Sequence, residues 1–164
     1  MPHDEPTPRR LTIRPIDPVA FAPFGTLLDA PAVPPRQDRA TALENGRPGA
    51  AANLALIHSE PWAGLMPLGR LERHPHSSQA FLPLAVDAYV VVVAPDRDGR
   101  PDETALYAFR VPGHVGINYR TNAWHAHMMT WAHPGTFAML AHEDGSAGDC
   151  VFAAIAPVQL DPEV

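Results

Sequence analysis

The sequence predicts an all-β fold, a sandwich or barrel with one short N-terminal helix. Two observations predict it. Twenty prolines and eleven glycines cut the 164 residues into short pieces, and helical periodicity is nearly absent. Between those breaks lie about ten short segments with strand character, recurring roughly every 8–12 residues as in all-β domains.

The elements follow in order. Residues 11–16 alternate and end at a proline-bearing turn. Asp17 suits a helix N-cap and Pro18 the first helical position, so a short helix is expected over residues 17–21, stopped by Pro23. Residues 24–28 resume the strand pattern. The stretch 30–52 carries Pro31, Pro34, Pro35, Gly46, Pro48 and Gly49 and reads as a long loop with one short helical turn. Strands are expected next over residues 53–58, 68–74 and 79–83. Residues 89–94 are uninterrupted and β-branched, the pattern of a strand buried on both faces. Residues 96–101 form a turn cluster, 104–111 a strand, and Pro112-Gly113 another turn. Strands over 116–119, 123–131, 136–142 and 150–155 complete the set.

The length suits one domain, 1–164, with a sizeable core. Residues 1–10 carry charge and three prolines and are expected to form a flexible tail, with no resemblance to a signal peptide. No stretch approaches the ~20 apolar residues of a membrane helix, so no membrane partner and a cytoplasmic location are expected. Net charge is −6, and all twelve basic residues are arginine. The absence of lysine excludes Schiff-base chemistry and a phosphate-loop lysine. The arginines are scattered, which argues against nucleic acid. The single cysteine, Cys150, excludes an internal disulfide and reads as a small buried hydrophobe.

The chemistry-bearing residues sit in two runs. Glu72 and His74 are two apart, so on a strand both leave the same face, and Gln79 follows five residues after His74. His125 and His127 follow about 50 residues later in Asn-Ala-Trp-His-Ala-His. A carboxylate and imidazoles on adjacent strands can bind a divalent ion, and a barrel mouth leaves positions open for substrate. Gln79 is a weak metal ligand and a good hydrogen-bonder of substrate. His127 serves the site or caps its pocket; Trp124 is a pocket wall or a core residue. Asn118-Tyr119-Arg120 presents polar groups to an anionic substrate or forms a hairpin edge. Arg73 is expected on the strand face opposite Glu72. His76 completes a His-Pro-His run, but Pro75 and the following turn redirect it. His3, His58, His114, His133 and His142 read as surface or structural.

Two patterns resemble the metal-ligand motifs of cupins. Glu72-x-His74-x₄-Gln79 stands where His-x-His-x₄-Glu would stand, and Pro112-Gly113 precedes Trp124-His125. The wording is also similar to one family. Leu71-Glu-Arg-His-Pro-x-x-Ser-Gln-Ala-Phe-Leu-Pro83, Gly116-Ile-Asn-Tyr-x-x-Asn-Ala-Trp-His125 and the opening Pro15-Ile-Asp-Pro-Val-Ala-Phe-Ala-Pro-Phe-Gly-Thr-Leu-Leu28 resemble the ureidoglycolate lyase (ureidoglycolate hydrolase) family. That resemblance implies a cupin-like double-stranded β-barrel, a homodimer, and cleavage of ureidoglycolate into glyoxylate and urea in allantoin breakdown. It implies no nucleotide or flavin, and a divalent metal such as nickel. Glu72, His74 and His125 would be catalytic, and Glu72, His74, Gln79 and His125 would be metal ligands, Glu72 as ligand or base. Gln79, Asn118, Tyr119, Trp124 and His127 would meet substrate. The chain departs from the family at three places: His127 replaces a proline, an alanine run follows Asn45-Gly46-Arg47 where the family has a further Arg, and the C-terminal turn reads His142-Glu-Asp-Gly…Asp149-Cys150. These departures keep a rival open, a related cupin that acts on or binds a different small carboxylic acid, without catalysis in the limiting case.

Overall fold

The computed structural model of the chain describes residues 7–29 and 35–163. In chain order the elements are β1 (Arg9–Pro15), helix α1 (Pro18–Phe21), β2 (Gly25–Leu28), β3 (Ala51–Ser59), β4 (Leu68–Arg73), β5 (Gln79–Ala85), β6 (Ala88–Ala94), β7 (Asp96–Arg97) and β8 (Arg100–Pro101). Then come β9 (Tyr107–Pro112), β10 (Gly116–Tyr119), β11 (Trp124–His125), β12 (Met129–Thr130), β13 (Gly135–Glu143) and β14 (Val151–Pro162).

The larger sheet runs β11-β4-β14-β1-β9-β6-β12, and a further β11–β6 pairing closes six of those strands into a barrel. Its interior is filled by Ile13, Leu71, Val90, Val92, Trp124 and Val158. A second sheet, β2-β10-β5-β13-β3, faces the outside of that barrel across another core. Phe81, Tyr89, Val91, Phe109, Tyr119 and Phe137 fill this layer. Two sheets facing one another across a common core meet the cupin-like, all-β expectation.

Strand β6 explains the architecture. Every residue of it is buried: Val90 and Val92 point into the barrel, Val91 and Val93 into the layer between the sheets. Such burial contributes about 1.5–3 kcal/mol per side chain, which is why the run is continuous rather than alternating. Helix α1 forms as expected, with the Asp17 carboxylate accepting from the Val19 N–H at 2.8 Å and Phe21 buried against Phe109 and Tyr119. At the Pro112-Gly113 turn a Cβ on Gly113 would lie 1.7 Å from the Val86 carbonyl oxygen, so only glycine fits.

Several boundaries differ from expectation. Strand β1 starts at Arg9, inside the stretch read as a tail, because its backbone pairs in parallel with β14 while Arg10 meets Asp161 at 2.6 Å. Residues 1–6 lie outside the described residues. The loop expected over 30–52 does contain one 3₁₀ turn, Ala40–Ala42, but β3 already begins at Ala51; residues 30–34 lie outside the described residues. The turn cluster at 96–101 is itself a hairpin, with Asp98 and Gly99 both at positive φ as a type I′ turn needs. The strand expected over 104–111 opens instead with a 3₁₀ turn at Glu103–Ala105, capped by the Asp102 carboxylate. The strand expected over 123–131 splits into β11 and β12, and β14 runs on to Pro162 through an irregularity between Ala154 and Val158.

The loop before β3 is docked on the turn that follows β4. The Ser78 N–H donates to the Glu44 carbonyl at 3.1 Å, and the Gly46 N–H donates to that of His76 at 2.7 Å. It therefore closes one end of the layer between the sheets. No helix among the described residues is long and apolar enough to cross a membrane.

Candidate active site

Sheet pairing assembles the site. His125 on β11 lies directly opposite Glu72 on β4, and His74 follows Glu72 by two residues on the same face. Glu72 Oε1 is 3.5 Å from His125 Nε2 and 3.9 Å from His74 Nε2. Ligand-type atoms of all three lie within 4.8 Å of one another. The side chains of His125 and His74 are 2% and 8% exposed, and that of Glu72 is 19% exposed. Solvent reaches the group from the Glu72 side.

Backbone carbonyls set both tautomers. His74 Nδ1 is 2.9 Å from the Asp149 carbonyl, and His125 Nδ1 is 2.8 Å from that of Ala123. A carbonyl only accepts, so each Nδ1 carries a proton and each Nε2 turns toward the centre. His74 Nε2 is buried with no partner. Imidazoles anchored in this way on an outer acceptor are the usual arrangement around a metal, and Glu72, His74 and His125 together fit a divalent ion.

The charges suit that role. Burial pushes the Glu72 carboxyl up, but hydrogen bonding and the charges of His125, His74 and His127 outweigh it and hold the group below the usual carboxylate range. Burial, then the neighbouring His125, pushes His74 below the ordinary imidazole value. Near neutral pH Glu72 is thus a carboxylate and His74 a neutral imidazole, an acceptor pair.

The remaining expected residues divide. Gln79 joins the group: its side-chain oxygen lies 3.1 Å from His125 Nε2. Tyr119 stacks on His125 with ring centroids 4.0 Å apart and is fully buried, so its phenol is pushed well above its usual value and supports the imidazole from beneath. His127 stands past the end of β11, exposed, near enough to feel the Glu72 charge. Asn118 is not brought to the group. Strand alternation turns it to the other face of β10, where its amide donates to the Ala42 carbonyl at 2.6 Å. Trp124 is likewise turned away, into the barrel, donating to Asp96 at 2.9 Å. It walls a separate cavity of about 360 Å³ with Asp96, Tyr107 and Arg120. Arg73 is on the face opposite Glu72, as alternation predicted, with its guanidinium 4.5 Å above Trp124. His76 belongs to the turn that holds the loop.

Sequence reasoning missed four neighbours. The carbonyl of Asp149 orients His74. Cys150 lies 3.9 Å from Glu72 Oε2, with its thiol pushed up to about 11 by burial and then by the Glu72 charge. Arg70 and Phe152 flank Glu72 on the open side. Arg70 was legible, since period two puts it on the face of Glu72; the β14 residues were not, because register is set by sheet closure.

The surroundings match known proteins. Residues 8–160 match the model of the ureidoglycolate lyase family. The chain is 31% identical over 151 residues to the ureidoglycolate lyase of Pseudomonas syringae pv. tomato, covering 87% of this chain and 88% of that protein. It is 33% identical to the ureidoglycolate lyase of Rhizobium etli strain CIAT 652, covering 84% and 87%. Among solved structures, the WlaRB TDP-quinovose 3,4-ketoisomerase of Campylobacter jejuni is similar with a TM-score of 0.46 at 16% identity, covering 77% of this chain and 91% of that one. With the match running through both β4 and β11, the strands that pair Glu72 with His125, the chain belongs to the ureidoglycolate lyase family.

Proposed function

We propose that this protein is a lyase that splits ureidoglycolate into glyoxylate and urea in allantoin catabolism. Family membership supports the substrate. The observation that carries the chemistry is the convergence of Glu72 with two imidazoles that both present Nε2.

Ureidoglycolate is a carbinolamide, with a hydroxyl and a ureido nitrogen on one carbon. The Glu72 carboxylate takes the hydroxyl proton as the C–N bond breaks and the carbonyl of glyoxylate forms. That proton crosses the 3.5 Å contact to His125 and reaches the leaving urea nitrogen, so the step balances without net proton change. His74, neutral and with its N–H committed to the Asp149 carbonyl, presents only the Nε2 lone pair beside Glu72 and can accept from the substrate's O–H or N–H. Gln79, 3.1 Å from His125 Nε2, would meet the ureido group. A divalent ion such as nickel, held by Glu72, His74 and His125, would polarise the hydroxyl and lower its pKa.

The same reading takes the protein to be a cytoplasmic homodimer. Leu54, Leu56, Leu82 and Leu84 are 67%, 76%, 44% and 61% exposed on the outward face of the second sheet, a patch that a monomer rarely leaves in water. The deciding assay incubates purified protein with ureidoglycolate, supplied with nickel or manganese, and follows glyoxylate. Release no faster than spontaneous decay defeats the proposal.

A further inference from the structure

Ureidoglycolate carries a carboxylate, and nothing in the Glu72 group is a permanent cation. The arginines differ in what already holds them. The terminal nitrogens of Arg47 are held by Asp144 at 2.7 Å, by Asp149 and by the Ser146 hydroxyl. Arg73 is bound to Asp96 at 2.8 Å on the opposite face of β4. Arg120 lines the cavity that Trp124 walls, across β11 from His125.

Arg70 is exposed and makes no ion pair among the described residues. It leaves β4 on the face of Glu72, two residues and about 7 Å along the strand. Its guanidinium carbon sits 4.3 Å above the ring of Phe152, and Phe152 is directly opposite Glu72 in register. Phe152 is itself 52% exposed, an unusual position for a phenylalanine. The stack fixes the guanidinium plane and leaves its N–H edge free for a bidentate acid.

We infer that Arg70, held flat on Phe152 at the open side of Glu72, is the anchor for the substrate's carboxylate and selects 2-hydroxy acids over neutral analogues. This rests on the lyase reading for the identity of the acid.

The test uses the whole protein, with glycolate and its neutral amide, glycolamide, as non-reacting probes in calorimetric titration. Wild type is expected to bind glycolate at least tenfold more tightly than glycolamide. Arg70→Gln removes that preference, and Arg70→Lys retains part of it. With ureidoglycolate, Arg70→Gln raises KM about 10- to 100-fold and leaves kcat within about twofold, the signature of lost ground-state binding. Equal preference in wild type, or a preference that survives Arg70→Gln, overturns the inference. A wild type that prefers glycolate through Arg70 yet releases no glyoxylate overturns the lyase reading alone.

Discussion

The backbone carbonyl of Asp149 accepts a 2.9 Å hydrogen bond from Nδ1 of His74, while the carboxylate of the same residue is clasped by Arg47. That carboxylate also accepts from the N–H groups of Asp144 and Gly145, at 3.2 and 2.7 Å. The two stretches that depart from the family's wording, around Arg47 and around Asp144–Asp149, therefore meet in one ion-paired clasp. Together they fix the carbonyl that aims His74. Arg47→Ala should lower kcat about 10- to 100-fold with little change in glycolate binding, as loss of an outer partner of a ligand histidine does. The His74 imidazole resonance should broaden or shift in the same variant. An unchanged kcat would show that the Asp144 and Gly145 N–H groups hold the turn unaided.

The clasp also sets a pH dependence of stability. Asp149 is held below the usual carboxylate range chiefly by the Arg47 hydrogen bond, and Asp144 chiefly by hydrogen bonds from Ser146 with help from the Arg47 charge. Because both are depressed on folding, their stabilisation is fully present above the unfolded value of about 3.9 and is lost as pH falls through the lower folded values. Urea unfolding from pH 6 down to pH 2.5 should show stability falling below about pH 4. The fall should be shallower in Arg47→Ala and in high salt, since these carboxylates are near the surface.

Histidine substitutions separate the site from the turn beside it. His74→Ala and His125→Ala should each cut kcat/KM by about 10²–10⁴, the range for loss of a positioned acid–base or ligand group. His76→Ala should change it by less than about threefold, because His76 contributes its carbonyl, not its ring, to the Gly46 contact. Steady-state assays on the three variants settle the matter; a His76→Ala loss equal to the other two would mean that the wrong histidines have been assigned. Nickel binding followed by equilibrium dialysis should fail in Glu72→Gln and His74→Ala and persist in His76→Ala.

The site was legible where chemistry and strand period coincide. Glu72 and His74 share a face by period two, and Arg73 was excluded from it by the same rule. Tyr119 and Gln79 were assigned without knowing that they lie opposite one another across β10 and β5. Trp124, read as a pocket wall or core residue, is one, but the substrate contacts that the family resemblance implied for Trp124 and Asn118 point away from the group, because their neighbours His125 and Tyr119 face it and adjacent strand residues face opposite ways. Period two contained that information. The meeting of His125 with Glu72 and of Asp149 with His74 was not legible, because barrel closure joins residues 53 and 75 positions apart, a geometry that no local pattern encodes.

The outward face of the second sheet makes the last prediction. Leu56 pairs with Ala138, which pairs in turn with Leu82, so apolar side chains run across three strands without a charge between them. Leu140 and Leu54 continue the row on the next rung of the same face. Burial against a second copy would remove this surface from water at roughly 25 cal/mol per Å² before association costs. A charge placed there must be desolvated or must prevent contact. Wild type should therefore sediment as a dimer and Leu56→Asp as a monomer in sedimentation velocity, with the circular dichroism of the fold preserved, because Leu56 is exposed within the subunit. If glyoxylate release survives in the monomer, each site is complete within one chain, as the Glu72, His74 and His125 geometry requires. A wild type that sediments as a monomer, or a Leu56→Asp variant that remains dimeric, removes this face from the interface.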